Sequence, residues 1–271
     1  MGKLKRSERI AALVKLLVDR PGQLLSLGQF AERFATAKST ISDDLALIKA
    51  VLEAEDLGTI RTYPGVAGGA TYEPRVSEAA ARRTAEELVA RLSEPHRILP
   101  GGFLYMTDLL FSPEWVERLG ALFATRFRPE SPDLVATVET KGIPLALMTA
   151  RALGRPLVLL RRDSRVTEGP SVSINYVSGS SQRIATMSVP RRAVPQGARV
   201  LLIDDFMKGG GTARGMMDLM REVGARVVGL GVLIATAEPA QKLVDDYFAV
   251  AVLEGVDTVR RVVRMRPSLG R

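Results

Sequence analysis

The sequence predicts a two-domain α/β chain, with a winged helix-turn-helix over residues 1–75 and a parallel-sheet domain over residues 76–271. Three observations carry this. Apolar residues recur at spacings of three and four through the first fifty or so positions. Two β-favouring runs around a Gly-rich tip follow directly. Beyond about residue 100, continuous Val/Leu/Ile runs alternate with helical segments, the pattern of a sheet covered on both faces.

In the first domain, Ile10, Leu13, Val14, Leu17 and Val18 form one helix stripe from Arg6 to Val18, which Pro21-Gly22 stops. Ser26, with Gln29 three residues on, reads as a capping box opening a short helix over Leu27 to Phe34, with Phe30 and Phe34 facing inward. After Ala35-Thr36-Ala37, a second helix is expected from Lys38 to Ala54, burying Ile41, Leu45, Ile48 and Leu52. Two helices joined by so short a turn are the helix-turn-helix signature. Thr59–Pro64 and Ala70–Pro74, around Gly65–Gly69, then read as a wing, although any three-helix cluster with a hairpin would look similar. The exposed start of the second helix favours DNA. Lys38, Ser39, Thr40 and Ser42 are short donors and one cation, suited to phosphate oxygens and base edges. Lys3, Lys5, Arg6 and Arg9 add positive charge ahead of it, and Arg61 lies on the wing.

Residues 76–98 read as a charged connecting helix, with Ala79, Ala80, Thr84, Leu88 and Leu92 at helical spacing. The lone His96 is assigned no role. In the second domain, strands are expected at Leu134–Val138, Pro156–Leu160, Arg199–Asp204, Val227–Ile234 and Phe248–Leu253. Helices are expected at Pro144–Leu153 and Thr212–Val223.

Composition narrows the function classes. Lys and Arg number 38 against 30 Asp and Glu, a net +8 compatible with a nucleic acid or a phosphorylated ligand. Residues 1–75 hold eleven basic and nine acidic side chains, so DNA affinity there would rest on one basic face and on a dimer. The chain has no cysteine, which removes disulfides and thiolate metal sites, and it has no run of 18 apolar residues. A cytoplasmic protein with no membrane partner is expected.

The richest stretch is Val200-Leu201-Leu202-Ile203-Asp204-Asp205-Phe206-Met207-Lys208-Gly209-Gly210-Gly211-Thr212. A buried strand ends in two carboxylates, turns through three glycines and enters a helix. Glycines let backbone N–H groups wrap a phosphate at a helix N-terminus, and Lys208 and Thr212 add donors. The carboxylates would repel that phosphate and suit vicinal hydroxyls or Mg²⁺ instead. Such a ligand is a sugar with a phosphate at one end and vicinal hydroxyls, such as those of a ribose, beside it. The spacing matches neither a Walker loop nor a dinucleotide fingerprint.

This motif resembles the binding loop of type I phosphoribosyltransferases for phosphoribosyl pyrophosphate (PRPP). The earlier strand end, Glu139-Thr140-Lys141-Gly142, sits where those enzymes hold pyrophosphate. The long Ser-, Gly- and Arg-rich segment from Arg161 to Pro190 matches in position their mobile loop, with Arg165, Tyr176 and Ser178 as its candidate residues.

The chain as a whole resembles the purine operon repressors of Gram-positive and related bacteria. The likeness runs through Ala37–Ser42, Ile98–Phe103, Thr140–Pro144, Val172–Ser181 and Ile203–Lys208. It implies a dimeric winged-helix protein fused to a phosphoribosyltransferase-like domain, bound to double-stranded operator DNA and released by PRPP, with or without Mg²⁺. It further implies ribose hydroxyls on Asp204 and Asp205, the 5′-phosphate on Lys208, Gly209, Gly210, Gly211 and Thr212, and pyrophosphate on Thr140, Lys141 and Gly142. Phe206 would stack on a competing purine nucleotide or serve as core. Lys208-Gly209 departs from the Thr common in the enzymes. No resident metal is expected, and no catalytic residue, the latter because no base-recognition hood is identifiable; Gly101–Phe111 could form one or could pack against a neighbour. The rival readings are an active purine phosphoribosyltransferase with a regulatory N-terminal domain and an RNA-binding antiterminator.

Overall fold

The computed structural model describes residues 4–65, 68–162, 169–177 and 184–269. These residues form two compact units, with the main boundary between Ser77 and Glu78.

The first unit contains α1 (Arg6–Val18), β1 (Leu25–Ser26), α2 (Leu27–Arg33), α3 (Lys38–Ala54), β2 (Thr59–Tyr63) and β3 (Gly69–Glu73). Its core collects the residues that the spacing picks out. Leu13, Leu17, Phe30, Phe34, Ile41, Leu45, Ile48 and Leu52 are all buried together with Ile60 of the wing. Each such side chain contributes about 1.5–3 kcal/mol by leaving water. Two local features depart from expectation. Ser26 accepts the Gly28 N–H at 3.1 Å with no return bond from Gln29, so the cap is a simple one. The wing is three-stranded, in the order β1-β3-β2, because Leu25 pairs with Ala70. A two-residue strand leaves no periodicity to read.

The second unit opens with α4 (Glu78–Leu92), which buries Thr84, Ala85, Leu88 and Leu92. His96 is exposed beside Glu94. The stretch that could have formed a hood folds as a small antiparallel pair, β4 (Ile98–Leu99) and β5 (Phe103–Leu104), followed by α5 (Thr107–Leu110). Arg97, only 4% exposed, clamps it through a fork on Asp108 at 2.8 and 2.9 Å, and that pairing holds the Asp108 carboxyl below its usual range.

Next comes α6 (Pro113–Phe127), which the sequence reading passed over although Val116, Leu119, Phe123 and Phe127 carry helical spacing. The remaining elements are β6 (Leu134–Val138), α7 (Ile143–Leu153), β7 (Leu157–Leu160), β8 (Ser171–Val177), β9 (Ile184–Pro190), β10 (Arg199–Met207), α8 (Gly211–Glu222), β11 (Arg226–Thr236), β12 (Phe248–Asp257) and β13 (Val262–Pro267). Six strands form one sheet in the order β13-β12-β11-β10-β6-β7. All its neighbours run parallel except β13, an unanticipated antiparallel edge strand. On one face, α8 and the β8–β9 hairpin pack Met216, Leu219, Met220, Met187 and Val189 against the sheet. Phe123 and Phe127 of α6 lie over Gly231 and Gly229 of β11, where an added Cβ would come within 2.7 and 2.6 Å of their rings.

The expected irregular loop across 161–190 needs correction. Residues 171–177 and 184–190 pair in continuous register from Ser171↔Pro190 to Val177↔Ile184. Tyr176 therefore sits in a strand, with Val172 and Ile174 on the same face, and its ring lies against Gly215 of α8. Arg165 and Ser178 fall outside the described residues, as does Lys3.

Candidate functional site

The site begins with how β10 ends. Its apolar residues Val200 to Ile203 are fully buried, and the strand carries straight on through Asp204 and Asp205. Asp204 is consequently 5% exposed, while Asp205 is half-buried. Burial, reinforced by the neighbouring Asp205 carboxylate, pushes Asp204 well above the usual carboxylate range; the Asp205 backbone N–H and Arg162 pull the other way. Asp204 Oδ1 accepts that N–H at 2.9 Å.

The chain then turns through Lys208 and Gly209 to Gly210, whose φ of +84° only glycine adopts without strain and which caps α8. Main-chain bonds hold this turn. The Gly209 carbonyl accepts from the Leu243 N–H at 2.9 Å, and the Lys208 carbonyl accepts from the Thr236 hydroxyl at 3.3 Å. Lys242 donates to the same hydroxyl at 3.2 Å, and its partial burial lowers its pKa.

Opposite lies the end of β6. Glu139, Thr140 and Lys141 lead into α7, with a cis peptide between Glu139 and Thr140. Gly142 allows this loop to close on β10, since a Cβ there would lie 2.9 Å from Thr137 Oγ1 and 3.5 Å from Asp204 Oδ1. Glu139 accepts the Arg162 N–H at 2.9 Å and pairs with Arg161 at 3.5 Å, tying the loop to the end of β7.

Together these elements line a cleft of about 320 Å³. Its wall includes Thr140, Lys141, Asp204, Asp205, Phe206, Lys208, Gly210, Gly211 and Thr212, with Glu139 and Arg162. Gly142 closes against it from behind. Gly209 belongs to its turn, with open space around it. The start of α8 faces the cleft along with Lys141, Lys208 and Arg162, and a helix start favours an anion; Thr140 and Lys141, in the loop that leads into α7, line the other side. Between them stand two carboxylates able to accept from hydroxyls. The arrangement suits a molecule with anionic groups at both ends and hydroxyls in the middle. Among the described residues, no three His, Cys, Asp or Glu side chains gather as a metal would need.

In the first unit, Lys38, Ser39 and Ser42 are exposed at the start of α3, with Thr40 half-buried. The Lys38 side chain lies over Gly28 of α2. Lys5 and Arg6 are exposed at the start of α1, where Glu8 accepts the Lys5 N–H at 2.7 Å. Arg61 is exposed on β2, above the Tyr63 ring at 5.4 Å and 3.8 Å from Glu73. One feature escaped the sequence reading. Asp44 is buried in α3 and binds Arg9 at 2.6 Å and Arg6 at 3.2 Å. Its only sequence signal is its place among α3's apolar positions, one residue before Leu45. No helix in the described residues is long and apolar enough to cross a membrane.

Comparison with known proteins bears on both units. Residues 5–74 match the family described as "Bacterial purine repressor, N-terminal", and residues 107–267 match "Phosphoribosyl transferase domain". The chain is 44% identical over 264 residues to the purine biosynthesis transcriptional repressor PurR of Bacillus subtilis, covering 97% of this chain and 93% of that one. It is 36% identical over 260 residues to the purine biosynthesis transcriptional activator PurR of Lactococcus lactis, covering 96% of both. Adenine phosphoribosyltransferase from Saccharomyces cerevisiae superposes with a TM-score of 0.54 at 18% identity, covering 62% of this chain and 98% of that one. That likeness speaks to fold alone.

Proposed function

The chain belongs to the family of bacterial purine biosynthesis transcriptional regulators, and from that premise we propose that it is a repressor released from operator DNA by PRPP. One observation carries the reading. A chain with an exposed polar start to α3 also holds a buried Asp204 beside Asp205, at the mouth of a Gly-rich turn across a cleft from Thr140 and Lys141. The first feature suits a duplex, and the second suits a ribose bearing a 5′-phosphate and a pyrophosphate.

In this reading Asp204 and Asp205 accept from the ribose hydroxyls. Lys208, Gly209, Gly210, Gly211 and Thr212 take the 5′-phosphate, and Thr140, Lys141, Gly142 and Arg162 take the pyrophosphate. A Mg²⁺ ion accompanying PRPP would find carboxylate oxygens on Asp204, Asp205 and Glu139 of the cleft lining, and would supply charge to the pyrophosphate. Phe206, half-buried on the cleft wall, offers a surface on which a competing purine nucleotide stacks. The working form is a homodimer, which doubles a modest basic face. PRPP is an effector in this reading and is not turned over.

The second reading, an active purine phosphoribosyltransferase, draws on the same intact cradle. Retention of a duplex selected from a random pool, measured with and without PRPP, tests the first. Release by PRPP supports it, and unchanged retention sinks it. The same experiment run on a reporter reads the direction of control, since relatives are named both repressor and activator.

A further inference from the structure

Resting on the DNA-binding reading above, we propose that Asp44 is a positioning residue. It holds Arg6 by its Nε so that the terminal nitrogens of the guanidinium stand ready for a backbone phosphate of duplex DNA.

The geometry starts from an imbalance of charge. Asp44 is a single carboxylate with 1% of its side chain exposed, yet two guanidinium groups meet it, Arg9 at 2.6 Å on one oxygen and Arg6 at 3.2 Å on the other. Arg9 is itself only 7% exposed and forms a buried pair with Asp44. A buried carboxylate needs such a partner, because an unpaired charge there is costly. Arg6 is different. Its side chain is 63% exposed, and an ion pair at that exposure contributes little to stability. Arg9 alone balances the charge of Asp44, and the triad keeps one surplus positive charge, which Arg6 carries outward.

The mode of contact matters too. Arg6 meets Asp44 through Nε. Among the described residues no hydrogen bond takes its terminal nitrogens. A guanidinium offers five N–H donors in a fixed fork, so one edge can be anchored while the other grips a second anion. The pairing brings the first residue of α1 beside the second turn of α3. Lys38, Ser39 and Ser42 stand exposed at the start of the same helix. A phosphate contact at that point would fix the register of α3 in the groove without reading sequence. Holding the side chain in place beforehand removes the cost of ordering it on binding.

The test uses the full chain and a duplex enriched from a random-sequence pool by the wild-type protein. Replacing the acid by Asn (Asp44→Asn) makes opposite predictions under two views. By charge alone, losing a negative group beside DNA strengthens binding. By positioning, affinity falls about two- to tenfold, the advantage of a side chain already held. Arg6→Ala should lower the slope of log affinity against log salt by about one for each protomer bound. Arg6→Lys should keep the slope yet bind more weakly than wild type, since one ammonium cannot span both anions. Folding is followed by circular dichroism. If Asp44→Asn fails to fold, the exposed Arg6 variants decide alone. Wild-type affinity and slope in Arg6→Ala, or equal or tighter binding by folded Asp44→Asn, overturns the proposal. A wild type that binds no duplex overturns the DNA-binding reading, and this proposal with it.

Discussion

Asp204 Oδ1 accepts the backbone N–H of Asp205 at 2.9 Å, so the first carboxylate of the pair is fixed by the peptide that joins it to the second. Burial, with the Asp205 charge beside it, holds the Asp204 carboxyl well above the usual carboxylate range. Because its folded-state pKa is raised, the folded protein binds a proton that the unfolded chain releases near pH 4. Stability from this group is therefore complete below that pH and declines as pH rises toward the folded value. Asp204→Asn should remove the decline. Thermal melts of the ligand-free protein at pH 5 and pH 8 should converge in the variant and differ in the wild type. Parallel losses in both proteins would refute it.

Asp205→Ala, alone or with Asp204→Ala, should yield a repressor deaf to PRPP while DNA binding persists. The substituted carboxylates lie in the second unit, and the donors proposed for DNA lie in the first. A ligand shifts an equilibrium only by its differential affinity for the two states. The wild type must then bind PRPP less tightly when seated on operator. Calorimetry on free and operator-bound protein checks this, and equal affinities would end the induction scheme.

Gly231→Ala should destabilise the second unit by about 1–3 kcal/mol, as overpacking does in a filled core. The new methyl would stand 2.7 Å from the Phe123 ring, which itself meets Phe248 edge-on at a centroid distance of 5.7 Å. Urea titration reads the shift, and an unchanged midpoint would mean that α6 yields freely.

Purified protein given PRPP, Mg²⁺ and each of adenine, guanine, hypoxanthine and xanthine should form no nucleotide. Transfer needs a base held within near-attack distance of the anomeric carbon. Steady product formation that vanishes in the Asp204/Asp205 double variant would place the chain among the enzymes.

Legibility in the sequence followed the burial pattern. The winged unit could be read because its core repeats at three and four, from Leu13 and Leu17 to Ile48 and Leu52. The cleft could be read because its elements are local: an acid pair, a Gly-rich turn and a helix start adjoin in sequence. What escaped depends on distance or on disguise. Asp44 has no partner in its own stretch of sequence, and only the fold brings Arg9 to it from 35 residues away. The segment that holds β8 and β9 reads as a loop by its Ser, Gly and Arg content, though Val172, Ile174 and Tyr176 alternate as a strand does. In α6 the signal was present and overlooked.

The antiparallel strand β13 has a consequence for how the protein behaves when crowded. An open sheet of mostly parallel strands ends in a row of unpaired main-chain groups, a template on which other chains can stack into aggregates. Here that border is Val262-Val263-Arg264-Met265-Arg266-Pro267. Exposed Arg264 and Arg266, the latter paired with Glu254 at 3.1 Å, put charged side chains where a further strand would add, and the closing proline offers no N–H to pair. At the opposite border, Arg161 and Ser188 bridge the end of β7 to β9, so part of that row is already engaged. Both margins of the sheet that carries the cleft thus hold features that disfavour the addition of a further strand.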